Sequence, residues 1–152
     1  VVVITSEDPA LENAIVHIVQ SAATSVRFLT FSFTDFPLAD AMSQRFKAGV
    51  DVAGVFEKFG SETEAAELRT LMCRSVPVKQ DGNSGFLHHK VIVVDEQIVI
   101  TGSMNYSTNA EENNDENVII IDNAEIARLY LQEFDRVWNL AEDPEIETIA
   151  CG

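Results

Sequence analysis

The sequence predicts an α/β protein, a mixed sheet with helices on both of its faces. Three observations lead there. The runs His89 to Val94, Ile98 to Thr101 and Asn117 to Ile121 are almost wholly apolar, the pattern of central strands covered on both sides. Segments of helical period, Leu11-Ala14-Ile15-Ile18-Val19 near the start and Ala124 to Leu140 near the end, alternate with strand-like ones. No repeat, low-complexity tract or linker divides the 152 residues, 46% of them apolar and 23% charged, so they read as one unit.

Taken in order, the chain opens on a strand-like Val1 to Thr5, and starting at Val1 it reads as a processed form or a domain cut from something longer. Asp8 is placed to cap a first helix with Pro9 at its first position. Leu11 to Val19 give that helix its buried stripe, and His17 falls on the solvated face. Ser25 to Phe33, rich in β-branched and aromatic residues, predicts a strand. Asp35 with Pro37 starts a second helix, which Gly49 stops before a strand over Val50 to Phe56. Ser61 and Glu64 have capping-box spacing and predict a third helix reaching about Met72. A short strand, Val76 to Lys79, and the turn-rich Asp81 to Gly85 follow. In the last helix Ile126, Leu129, Tyr130, Phe134, Val137 and Trp138 form one stripe that should pack on the sheet.

A domain of this size buries enough surface to fold without disulfides. Cys73 and Cys151 form no CxxC and lie at no ligand spacing with His17, His88 or His89, which predicts neither a disulfide framework nor a zinc or redox site. Cys73 is expected to be a small buried or half-buried residue at a helix end. No apolar run is long enough to span a membrane and no signal-like core is present, so the chain reads as soluble, its compartment left open. Net charge is −15, which argues against non-specific attraction to nucleic acid or anionic membranes. From Ser107 to Gly152 there are 12 acidic residues against Arg128 and Arg136, and these are expected on the solvated face of the last helix.

One stretch is unusual: Phe86-Leu87-His88-His89-Lys90-Val91-Ile92-Val93-Val94-Asp95, six residues, then Gly102-Ser103-Met104-Asn105. On a strand His88 and Lys90 share one face and His89 takes the other. With Glu96-Gln97 as a two-residue turn, Asp95 faces Ile98, Lys90 faces Ser103 and His88 faces Asn105. Glu-Gln is not a favoured hairpin dipeptide, and a three-residue loop breaks this register. In the two-residue register an imidazole, an ammonium, a hydroxyl and a carboxamide converge at one end of an apolar hairpin. Such a set needs a partner, and a bound phosphate supplies one. Asp95 falls at the far end, about seven residues at ~3.3 Å each from His88, and is assigned a structural role at the turn.

The pattern His88-x-Lys90, four residues, Asp95, six residues, Gly102-Ser103-x-Asn105 resembles the signature of the phospholipase D superfamily, the HKD family. Asn114-Asp115-Glu116-Asn117 resembles the acidic element that follows it there. Phe31 to Asp35, the helix leading into Gly49-Val50-Asp51-Val52, and Glu133 to Trp138 look like phospholipase D-like domains as well, so the resemblance extends to most of the chain. It implies a phospholipase D-like α/β/α sandwich over residues 1–152 and a phosphodiesterase that uses neither metal nor cofactor but a covalent phosphohistidine. His88 is then the nucleophile, as a neutral imidazole attacks phosphorus well near pH 7. Lys90, Ser103 and Asn105 hold the non-bridging oxygens, where fixed donors meet the developing charge. Asp95 and Gly102 belong to the motif as structural positions, and Glu116 orients a catalytic histidine through its ring N–H.

In that family the histidine of a second motif is the general acid and then the base. This chain has a single motif, His89 faces the wrong way and His17 has no lysine two residues on. The second histidine therefore comes from a homodimer partner or from a second half of a longer two-motif chain. The substrate class stays open between phospholipid and nucleic acid. Arg27, Lys47, Lys58, Arg69, Arg74 and Lys79 are the cations available to a basic groove, while Phe86 and Leu87 would favour a lipid. A non-catalytic phosphate-recognising or dimer-forming module is the alternative. A metal site from His88, His89 and acidic neighbours is opposed by their opposite faces. Ser107, Asn109 and Asn113 either line the site mouth or form turns.

Overall fold

The computed structural model describes residues 1–5, 10–107, 114–145 and 151; Asp8 and Pro9, and likewise Asn109 and Asn113, lie outside the described residues. Seven strands, β1 (Val2–Thr5), β2 (Ser25–Thr30), β3 (Asp51–Phe56), β4 (Val78–Gln80), β5 (Lys90–Val94), β6 (Ile98–Gly102) and β7 (Asn117–Asp122), form one sheet in the order β1-β7-β6-β5-β2-β3-β4. β2, β3 and β4 run parallel, and β5, β6, β7 and β1 join antiparallel, so the sheet is mixed as the sequence predicts. Among the described residues four helices cover it: α1 (Leu11–Gln20), α2 (Phe36–Lys47), α3 (Leu68–Cys73) and α4 (Ala124–Leu140).

Strand alternation decides what each face buries. Phe28, Ile92, Val94 and Ile100 pack with Leu11, Ile15, Val19, Leu38, Met42 and Leu71, which belong to α1, α2 and α3. Leu29, Val55, Val91, Val93 and Val99 face the other way, toward Ala127, Phe134 and Val137 of α4. All five residues of β5 are buried, the consequence of a central strand covered on both sides. Gly54 is required by this packing, since a Cβ there would lie 2.1 Å from the Phe28 ring on the adjacent strand. No helix among the described residues is long and apolar enough to cross a membrane.

Local rules account for most boundaries. The Asp35 carboxylate accepts from the Leu38 N–H at 3.2 Å and opens α2, and Gly49 closes it at φ +100°. Four expectations are corrected. The capping box at Ser61 and Glu64 opens no helix: α3 starts at Leu68, because the Ser61 hydroxyl is engaged elsewhere, donating to the Lys58 carbonyl and accepting from Gln80 Nε2. Leu129 is exposed, and Ala127 takes its place against the sheet. Of the acidic residues in the last third only Glu125, Glu133 and Asp135 lie on α4, and Glu133 is half-buried. Finally, the two cysteines are joined: Cys73, exposed at the end of α3, is bonded to Cys151 with Cα atoms 5.5 Å apart. Their 78-residue separation hid the pairing.

Candidate active site

The β5–β6 hairpin closes one residue differently from the two-residue expectation. Val94 pairs with Ile98, so Asp95, Glu96 and Gln97 form a three-residue loop, with Asp95 and Glu96 both at φ +55°. Lys90 therefore lies level with Gly102, and Ser103 does not face it across the ladder. Ser103 is set by a different device. Gly102 adopts φ +149° and packs so closely on β7 that a Cβ would sit 2.2 Å from the Asn117 carbonyl. Past this bend the Ser103 N–H donates to Asn117 O at 3.0 Å and the Asn117 N–H donates to Ser103 Oγ at 3.1 Å. The Ser103 hydroxyl in turn donates to Glu116, whose other oxygen accepts from Asn114 Nδ2.

His88 precedes β5 and is exposed, held by neighbours that are not. Leu87 is buried under α4, and its N–H donates to the buried carboxylate of Glu57 at 2.5 Å. That same carboxylate accepts from the Phe59 N–H, so the end of β3 fixes the approach to His88. The Lys90 side chain, 7% exposed, folds back: Nζ donates to the His88 carbonyl at 2.9 Å and lies 3.2 Å from His88 Nδ1. An ammonium only donates, so in this contact Nδ1 is the accepting atom. Burial pushes the Lys90 pKa down and the charge of Glu116 pulls it partly back. Lys90 thus touches His88 and feels the charge of Glu116, which in turn accepts from Ser103.

Two aromatic rings to which the sequence assigned no part in holding His88 or Lys90 complete the surroundings. Phe31 lies with its centroid 4.8 Å from the His88 ring and 5.3 Å from Lys90 Nζ, and Phe86 meets Phe31 edge-on at 6.4 Å. A cavity of about 170 Å³ opens beside Phe31, walled by Phe33, Phe56, Phe59 and Ala66. Asn105 lies in the turn after Ser103, half-buried, with a shielded Oδ1 that has no hydrogen-bond partner among the described residues. Its neighbour Tyr106 is tied by its carbonyl to the N–H groups of Thr34 and Asp35.

The remaining motif positions lie apart. His89 points to the opposite face, its Nε2 3.0 Å from Glu133 Oε1 on α4. Asp95 sits at the far end of β5, where its carboxylate accepts from the N–H groups of Ala23, Thr24 and Ser25 and from the Thr24 hydroxyl. Among the described residues no three His, Cys, Asp or Glu side chains are grouped so as to hold a metal ion. Chemically, the arrangement offers an exposed imidazole, a buried ammonium and a hydroxyl linked to a carboxylate within one small volume, the equipment for holding and attacking a phosphate.

Comparison with known proteins shows the family to which this fold belongs. The family model described as "Cardiolipin synthase, PLD-like domain" matches residues 15–138. A mitochondrial cardiolipin hydrolase of Mus musculus is 33% identical over 118 residues, covering 78% of this chain and 53% of that protein. A phospholipase D of Rickettsia bellii is 31% identical over 116 residues, covering 76% and 58%. The chain spans about half the length of the curated relatives it matches. The crystal structure of Nuc from Salmonella typhimurium, a phospholipase D family member, superposes with a TM-score of 0.89 at 31% identity over 95% of this chain and 97% of that one.

Proposed function

Because the chain belongs to the phospholipase D-like family, we propose that it is a phosphodiester hydrolase that works through a phosphohistidine on His88. The observation that carries this reading is the buried Lys90 ammonium, 3.2 Å from His88 Nδ1 and within the field of Glu116. A cation kept out of water beside an exposed imidazole suits an anionic substrate that arrives and replaces its local partners.

The chemistry then runs in two displacements. A substrate phosphate draws the Lys90 ammonium onto its non-bridging oxygens, with Ser103 and Asn105 as neutral donors, and frees the imidazole lone pair. A His88 ring nitrogen attacks phosphorus, the P–N bond forms, and the bond to the leaving alcohol breaks. A second histidine protonates that alcohol. The same histidine next takes a proton from water, whose oxygen attacks phosphorus as the P–N bond breaks. Glu116 serves as the acceptor that orients a catalytic imidazole.

All 152 residues form one phospholipase D-like domain in this reading. The second histidine comes from a homodimer partner or from a second motif-bearing half of the same protein, which places the reaction at an interface. The substrate is a phospholipid or a nucleic-acid phosphodiester; both present the same reacting group. The competing reading, a phosphate-recognising or dimerisation module, shares every residue named and differs only in turnover.

The test is hydrolysis of bis(p-nitrophenyl) phosphate in excess EDTA by the purified protein, beside His88→Asn, with the mass in solution measured on the same sample. Turnover by a dimer that the variant lacks supports the hydrolase. Phosphate binding without turnover supports the module.

A further inference from the structure

Phe31 stands just past the end of β2, half-buried, and belongs to none of the three apolar clusters that build the core. Its backbone N–H continues the β2–β5 ladder by donating to the His89 carbonyl at 3.0 Å. Strict alternation would carry its ring to the His89 side of the sheet. The strand stops at Thr30 instead, and the ring meets His88 and Lys90. A phenyl group that contributes so little to the core, yet touches both members of the reactive pair, has its function at the site.

Its geometry suits that function. The Lys90 ammonium lies over the ring face, where the quadrupole attracts a cation most strongly when water is excluded, and Lys90 is buried. The imidazole of His88 packs against the same ring at 4.8 Å, tilted by 46°. Phe86, itself 70% exposed, supports Phe31 from outside with an edge-on contact. The Lys90 side chain has four rotatable torsions between its backbone and its charge, each a freedom that a fixed platform restricts. The ring acts together with the His88 carbonyl, which accepts from Nζ at 2.9 Å, to hold the ammonium beside His88.

We propose that Phe31 is a positioning residue of the active site, whose ring face fixes the Lys90 ammonium and the His88 imidazole relative to each other. The proposal rests on the hydrolase reading for its kinetic consequence, but the placement itself does not depend on turnover. Because it acts through Lys90 and His88, Phe31 governs the rate of the chemical step more than the capture of substrate. An aromatic replacement keeps the platform, and an aliphatic one of similar bulk removes it.

The experiment compares the wild-type protein with Phe31→Leu and Phe31→Tyr, using the chromogenic diester, with melting temperatures recorded for all three. In Phe31→Leu kcat should fall by about tenfold or more while KM stays within about twofold, and Phe31→Tyr should recover most of the loss. In parallel, the ε-methylene protons of Lys90 are followed by NMR; their upfield ring-current displacement should be present in the wild type and Phe31→Tyr and lost in Phe31→Leu. Equal kcat in all three proteins, equal impairment of both variants, or an undisplaced Lys90 signal in the wild type overturns the proposal. Absence of His88-dependent turnover in the wild type overturns the hydrolase reading instead, and the Lys90 signal then decides the placement alone.

Discussion

His89 Nε2 lies 3.0 Å from Glu133 Oε1, so two consecutive histidines at the entrance to β5 serve opposite faces of the sheet: His88 the solvent-facing site, His89 the seam between sheet and α4. Glu133 is also gripped by Arg136 at 2.7 Å, and that hydrogen bond, more than the one from His89, holds its carboxyl below the usual range.

This pair yields the first prediction. His89→Ala should lower stability by about 1 kcal/mol, the scale of one lost hydrogen bond, and leave diester hydrolysis close to that of the wild type. His88→Asn should do the reverse. Denaturant unfolding and a rate assay on the two variants check the division, and a large rate loss in His89→Ala would contradict it.

Asp95 supplies the pH prediction. Burial works against its charge, but the N–H groups of Thr24, Ala23 and Ser25 and the Thr24 hydroxyl outweigh that effect and hold the pKa below the usual carboxylate value. A depressed carboxylate stabilises the fold above its unfolded pKa and loses that contribution as pH falls through the folded one. Asp95→Asn should therefore cost about 1–3 kcal/mol near pH 7, and the gap to wild type should narrow below about pH 4. Urea midpoints measured from pH 7 to pH 2.5 read this directly.

The Cys73–Cys151 bond ties the end of α3 to the C-terminal region across 78 residues. Its loss in Cys73→Ser should destabilise the protein by about 2–4 kcal/mol, and dithiothreitol should lower the wild-type melting temperature toward that of the variant. Intact mass under non-reducing conditions, two hydrogens lighter than the reduced chain, establishes the bond beforehand.

Gly102 combines φ +149° with a Cβ direction blocked at 2.2 Å by the Asn117 carbonyl. Gly102→Ala forces β6 and β7 apart where Ser103 is set, and a loss of about 2–4 kcal/mol is expected together with reduced turnover. Gly85→Ala, at an open position on the surface, is the control and should change neither.

Much of this architecture follows from local chemistry. Asp35, Pro37 and Gly49 delimit α2 because capping, a proline in the first turn and a left-handed stop act over a few residues. The α4 boundaries, Ala124 and Leu140, come out as the sequence predicts because a long amphipathic stripe averages over many positions. The errors arise where a distant partner intervenes. Gln80 claims the Ser61 hydroxyl and removes a cap, and Cys151 finds Cys73 through a path no spacing rule describes. The hairpin register turned on whether one residue, Asp95, belongs to the strand or to the loop. In the site itself, residue types and spacing placed His88 and Lys90 together. Phe31 went without a role because its ring reaches them only after β2 ends.

The anchoring of Asp95 bears on this last point in another way. Along β5 every step of one residue exchanges the two faces of the sheet, so a frame-shifted strand would deliver His89 to the solvent and bury His88. The carboxylate that takes three backbone N–H groups at the start of β2 holds the strand in phase from its far end, much as a dowel sets a sliding rail. An aspartate too remote to meet any substrate thereby selects which imidazole faces outward.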